Sequence, residues 1–186
     1  MRRRRVALPV LVMMTTCFHG TGSVGAQTHI PEPDGYRLED FRKPVPATLT
    51  GARGVLTVAQ AKPLYDDGAV FVDVYPRAPK PPNLPASTVW RDPPHTSISG
   101  AIWLPNVGYG VLAEPVRAYF EANLIKLTGG DRAKPIVFFC LRDCWMSWNA
   151  AKRAIGMGYS AVYWFPEGTD AWEEHGYTTA TVVPVP

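Results

Sequence analysis

Apolar runs alternate with helix-patterned segments along most of this chain, and that alternation limits the fold more than any other feature. VLTVAQAKPLYDDG (residues 55–68) opens as a short strand and turns into a helix, with Thr57 as a candidate N-cap and Ala61, Leu64 and Tyr65 at helical spacing. AVFVDVYP (69–76) follows as a continuous apolar run holding Asp73. SISGAIWLPN (97–106) reads as a turn and a short strand, and EPVRAYFEANLIKLTGG (114–130) as a helix ended by Gly129 and Gly130. PIVFFC (135–140) is another apolar strand. WMSWNAAKRAIGMG (145–158) is a helix with Trp148, Ala151, Ala154 and Ile155 on one face and Gly156 and Gly158 at its close. AVYWFPEG (161–168) is a last strand, and TDAWEEHGY (169–177) a short closing helix. Strands apolar on both faces are covered on both sides. Strands that alternate with helices pair in parallel. The expected fold is α/β, with a mostly parallel central sheet and helices on both faces.

The regular part is preceded by two segments of different character. Residues 1–26 read as an export signal: Arg2 to Arg5 form a basic start, Val6 to Phe18 an apolar stretch too short to span a bilayer, and Val24-Gly25-Ala26 a small-residue cleavage site. Cys17 offers a weak alternative as a lipid anchor, because Met14-Thr15-Thr16 is a poor lead-in. Residues 27–54 are rich in Pro, Gly and charge, with Tyr36 and Phe41 as aromatic anchors. They read either as an extended N-terminal arm packed on the domain or as a linker. The domain proper is expected over 55–180, with a C-terminal tail at 181–186. Seven prolines fall between residues 76 and 94. Proline lacks the amide a ladder needs, so 76–97 is expected to be a long Pro-rich loop. Trp90 and Arg91 in its middle suggest that it docks.

Charge follows the leader. The chain has 19 Lys and Arg against 16 Asp and Glu, a net charge of +3. Removing the four leading arginines leaves 15 basic residues against those 16 acidic ones. No basic stripe remains to suggest a nucleic-acid partner, and no membrane span is expected once the leader is gone.

Removal of the leader also takes away Cys17, leaving Cys140 and Cys144 as the only cysteine pair. An exported chain meets oxidants, so a disulfide between them is open to it. In a mostly parallel sheet, reactive groups gather at the carboxyl ends of the strands. Cys140 ends PIVFFC and a helix begins a few residues later. A thiol at a helix N-terminus meets unpaired amides and the positive end of the dipole, which favour the thiolate. Arg142 and Lys152 add to that effect and Asp143 opposes it. Cys140 is therefore the candidate nucleophile, and Cys144 can close a small loop with it. The competing reading is a pair of buried, inert thiols.

With these pieces in order, residues 55–178 resemble the rhodanese-like superfamily. TVAQAKPLYDDGAVFVDVYP is similar to the family's opening helix and Asp-bearing strand. HTSISGAIWLPN is similar to its G-H-I-P-G-A-I-N-I-P turn, PIVFFC to its cysteine-delivering strand, and AAKRAIGMGYSAVYWFPEGTDAWEEHGY to its closing segment. GYRLEDFRKPVPATL and CLRDCWMSWNAAKRA more closely resemble the CXXCW-motif proteins associated with catabolism by pyrroloquinoline quinone (PQQ) enzymes. That resemblance implies a rhodanese-like three-layer domain in the periplasm, linked to PQQ-dependent alcohol oxidation. It implies Cys140 and Cys144 as catalytic residues. Leu141, Arg142, Asp143, Trp145 and Ser147 would form the loop and its surroundings, with Asp73 behind it. The sequence also departs from active rhodaneses. Trp145 stands where an Arg commonly closes the loop, and Tyr75 where an Arg follows the strand Asp. Both departures argue against thiosulfate sulfurtransferase activity of the usual kind.

Three functions fit. In the first, Cys140 attacks and Cys144 resolves in thiol–disulfide or persulfide chemistry, with Arg142 and loop amides stabilising negative sulfur. Asp73 would support the loop or simply cap the next turn. In the second, the chain is a non-catalytic copper- or cofactor-binding module: two thiolates suit Cu(I), Met146 is adjacent, and His95 and His175 lie in segments that could reach the same edge of the sheet, although each taken alone reads as solvent-exposed. In the third, it is a scaffold whose tryptophans dock a periplasmic dehydrogenase or cytochrome c. Trp148 and Trp164 are expected in the core, and Trp90 as a contact or a lid over the cysteines.

Overall fold

A computed structural model describes residues 30–85, 87–91 and 93–186. The leader expected over 1–26 lies outside the described residues. Five strands form the central sheet: β1 (Gly54–Val55), β2 (Val70–Asp73), β4 (Ile102–Trp103), β5 (Ile136–Phe139) and β6 (Val162–Phe165). Their order is β1-β6-β5-β2-β4, and every pairing is parallel. Four helices connect them: α1 (Val58–Asp66), α2 (Glu114–Thr128), α3 (Trp145–Gly156) and α4 (Gly168–Glu174).

Successive strand residues serve opposite faces of the sheet. Val72, Ile136, Phe138, Val162 and Trp164 pack with Phe120 and Leu124 of α2 and Trp148, Ala151 and Ala154 of α3. Phe71, Val137, Phe139 and Phe165 pack with Val58 and Ala61 of α1 and Ala171 and Trp172 of α4. Helices thus cover both faces, which is why the strands read as unbroken apolar runs. Burying each large side chain contributes about 1.5–3 kcal/mol. Trp148, Trp164 and Trp172 are all fully buried.

Local chemistry sets the helix ends. The Thr57 amide donates to Gln60 Oε1 at 3.0 Å, and the next amide, of Val58, donates to Glu167 Oε2 at 2.7 Å. A carboxylate at the start of α1 meets the positive end of its dipole and ties α1 to the β6–α4 turn. α2 ends on Gly129 in the left-handed conformation.

The C-terminal segment corrects two expectations. β3 (His95–Ile98) pairs antiparallel with β7 (Thr179–Val182) in a separate two-stranded sheet. Part of the expected Pro-rich loop 76–97 is therefore strand, and so is part of the expected tail 181–186. Beyond β7, the Val185 amide donates to the Trp103 carbonyl at 3.0 Å and the Tyr119 hydroxyl donates to the Val185 carbonyl at 2.8 Å. Residues 30–53 contain no helix or strand.

Candidate functional site

β5 ends at Phe139 and α3 starts at Trp145, so residues 140–144 form the turn between them. The register pairs Asp73 with Phe139, which puts Asp73 one residue from the start of this turn at the same edge of the sheet. The sulfurs of Cys140 and Cys144 close a disulfide with a Cα–Cα separation of 6.2 Å. Cys144, rather than Cys140, is the N-cap of α3, so the helix dipole acts first on Cys144. Both cysteines are buried, at 1% and 2% exposure.

The turn is fixed from two sides. On the α4 side the Thr169 amide donates to the Cys140 carbonyl at 2.9 Å and the Arg142 amide to Asp170 Oδ2 at 2.9 Å. This approach requires Gly168. Its φ is +56°, and a Cβ there would overlap the Cys140 carbonyl. Asp143 takes a left-handed φ of 54° at the exposed tip. The Arg142 guanidinium is engaged by Glu174 through two contacts of 2.8 and 2.6 Å. The pair raises the Arg142 pKa and lowers that of Glu174. Arg142 thus faces a carboxylate, not the sulfurs.

From the other side the arm lies over the start of α3. The Trp145 amide donates to the Phe41 carbonyl at 2.9 Å and its indole N–H to the Pro44 carbonyl at 3.1 Å. The Arg37 guanidinium sits 5.3 Å from the Trp145 ring. Asn149, fully buried, accepts from the Arg37 amide at 2.9 Å and donates to the carbonyls of Arg37 at 2.9 Å and Gly108 at 2.8 Å. Lys152 Nζ donates to the carbonyls of Pro33 and Asp34 at 2.9 and 3.0 Å, so it holds the arm rather than acting on the thiols. Arg153 is buried over the Tyr36 ring at 4.3 Å and donates to the carbonyls of Val107 and Tyr109. Burial pushes its guanidinium down from the ordinary value, against the opposing pull of Tyr36.

The remaining expected residues fall into place around this turn. Ser147 is fully buried; its hydroxyl donates to the Cys144 carbonyl at 3.0 Å and accepts the Trp164 indole N–H at 3.0 Å. Leu141 is half-buried, and Met146 is buried in the same cluster as the cysteines. His175 caps α4 and is exposed, with Nδ1 bonded to the Ala171 carbonyl at 2.9 Å. Trp90 lines a cleft with Arg77, Asn106, Tyr109 and Val116. Among the described residues no group of three or more His, Cys, Asp or Glu side chains is placed to hold a metal ion. No helix among them is long and apolar enough to cross a membrane.

Asp73 does cap the next turn, its Oδ1 accepting the Tyr75 amide at 2.8 Å, but it also takes a larger role. Its Oδ2 meets His95 Nε2 at 2.7 Å and accepts the Ser97 hydroxyl at 2.5 Å. His95, read from the sequence as solvent-exposed, is held here with its side chain only 10% exposed. Nothing local in the sequence links residue 95 to residue 73. Compared with known protein families and with curated proteins, the chain matches none.

Proposed function

We propose that the chain is a periplasmic rhodanese-like protein whose Cys140–Cys144 pair performs redox or sulfur-handling chemistry in support of PQQ-dependent alcohol oxidation. Its partner would be a periplasmic dehydrogenase or cytochrome c. The observation that carries this reading is the disulfide itself, closed across a strand-to-helix turn with Cys144 as the helix cap. A loop of this size adds little stability by chain entropy, so its chemistry is the better reason for its presence.

In the oxidised protein the incoming thiolate attacks Cys140 Sγ, and Cys144 leaves as a thiolate next to the α3 amides. A second substrate thiol then attacks the mixed disulfide at the substrate sulfur. The substrate leaves as a disulfide, and Cys140 and Cys144 retain two electrons and two protons. In reverse, Cys140 is the sulfur joined to substrate and Cys144 resolves it. Two of the turn amides already have protein acceptors: Arg142 donates to Asp170 and Trp145 to Phe41. That favours dithiol exchange over a stored persulfide, which needs such amides for its charge.

The test is alkylation of the purified protein across redox buffers. A single two-thiol transition at a potential above about −300 mV supports the proposal. Replacing either cysteine by serine should abolish it. Two uncoupled thiols, or a pair that stays oxidised well below that potential, would end the redox reading.

A further inference from the structure

His95 sits in a setting built for more than packing. Asp73 is buried, and its oxygens take three contacts: the Tyr75 amide, the Ser97 hydroxyl and His95 Nε2. A carboxylate offers acceptors only, so Nε2 carries a ring proton, and in the neutral imidazole Nδ1 then holds the lone pair. The imidazole stacks on Tyr75 at 4.7 Å and 14° and packs against the tilted ring of Trp103 at 4.5 Å. Among the described residues no hydrogen bond uses Nδ1, yet none of their buried polar side-chain atoms lacks a partner. Nδ1 is therefore open to the surface that His95 lines.

That surface is a cleft of about 450 Å³, walled by Tyr75, Pro94, Trp103, Tyr109 and Leu141 together with His95. Aromatic and pyrrolidine rings offer flat apolar faces that suit a flat apolar ligand. The buried Asp73 acts through His95, fixing its tautomer and orientation as a second carboxylate fixes a working imidazole elsewhere. Leu141 belongs to the cysteine turn, so the cleft borders the disulfide without depending on its chemistry.

We infer that this cleft binds a small aromatic alcohol of the phenol class, with the ring against the aromatic walls and the hydroxyl donating to His95 Nδ1. Asp73 and Ser97 are positioning residues that hold the imidazole edge toward the ligand.

The probe is p-nitrophenol, whose absorbance separates phenol from phenolate, titrated into the purified protein. We expect saturable one-to-one binding with a shift toward the phenol spectrum, because the form that donates to Nδ1 is the protonated one. Nitrobenzene, the same ring without the hydroxyl, should bind about tenfold more weakly, the worth of one hydrogen bond. His95→Gln should lose about the same factor and the spectral shift, with its folding checked by circular dichroism. If that variant fails to fold, the unmutated protein still decides: ¹⁵N-labelled His95 should show its Nδ1 resonance moving as the probe saturates. Absence of saturable binding, equal affinity for nitrobenzene, or an unmoved Nδ1 resonance under a bound probe would each overturn the inference.

Discussion

Replacing Asn149 by alanine should release the arm from α3 and open the route to the disulfide. Asn149 makes three hydrogen bonds to backbone groups, two with Arg37 and one with Gly108. At about 1 kcal/mol net for each bond, losing the two bonds to Arg37 weakens the arm's attachment by about 2 kcal/mol. The contacts of Trp145 and Lys152 to the arm remain, so the domain itself should stay folded. A tenfold change in population corresponds to about 1.4 kcal/mol, so the lifted-arm state should rise about 30-fold. With the cysteines at 1% and 2% exposure, a reductant has to wait for such an opening. When opening and closing are fast relative to attack, the reduction rate follows the open population. The assay is reduction by a water-soluble phosphine, quenched by alkylation and read by mass spectrometry, on the wild type and Asn149→Ala. Urea unfolding alongside reports global stability. The expected result is reduction faster by about 30-fold. If the Arg37 amide exchanges faster with solvent while reduction changes by less than about threefold, the arm is not the barrier and the reasoning fails.

Three further outcomes follow from the same structure. Gly168→Ala should cost about 2–4 kcal/mol in thermal unfolding, combining the left-handed φ penalty with overlap on the Cys140 carbonyl; an unchanged Tm would mean that the turn yields freely. Ser147→Ala leaves the Trp164 indole N–H without its acceptor in a dry site and should cost about 1–3 kcal/mol by urea unfolding. Arg142 lowers the Glu174 pKa, so the pair's contribution is present above the ordinary carboxylate value and is lost as pH falls through the lowered one. The Tm difference between wild type and Glu174→Gln should therefore be steady near neutrality and close below about pH 4. A difference that grows with acid would contradict the assignment.

The central sheet was legible because each of its long strands is buried on both faces, so VFVD, IVFF and VYWF stand out as apolar blocks. The cysteine turn was legible for a related reason: a strand end followed by a helix start is a local pattern. The β3–β7 pair was not. The HTSI and TATV segments are short and only partly buried, and their pairing joins residues more than eighty apart. The alternation of β-branched residues in TTATVV was the signal available, outweighed by the nearby prolines. His95 escaped for a different reason. A histidine beside two prolines looks solvated, and only the folded register brings Asp73, Ser97 and the rings of Tyr75 and Trp103 around it. Lys152 and Arg142 were misread because spacing along a helix gives nearness to the cysteines but not side-chain direction. Each found a stronger partner, the arm carbonyls for one and Glu174 for the other.

The segment beyond β7 has an effect on how this molecule meets its neighbours. Both rims of the central sheet are strands of two residues, β1 and β4. Pro184 lies beside Trp103 in a parallel bridge, and Val185 takes the Trp103 carbonyl. A foreign strand seeking to extend the sheet past β4 finds the carbonyl occupied and a proline with no amide to offer. Crowded among other unfolded or extended chains, the protein presents little template at its β4 rim, and cutting it back before Pro184 would create one.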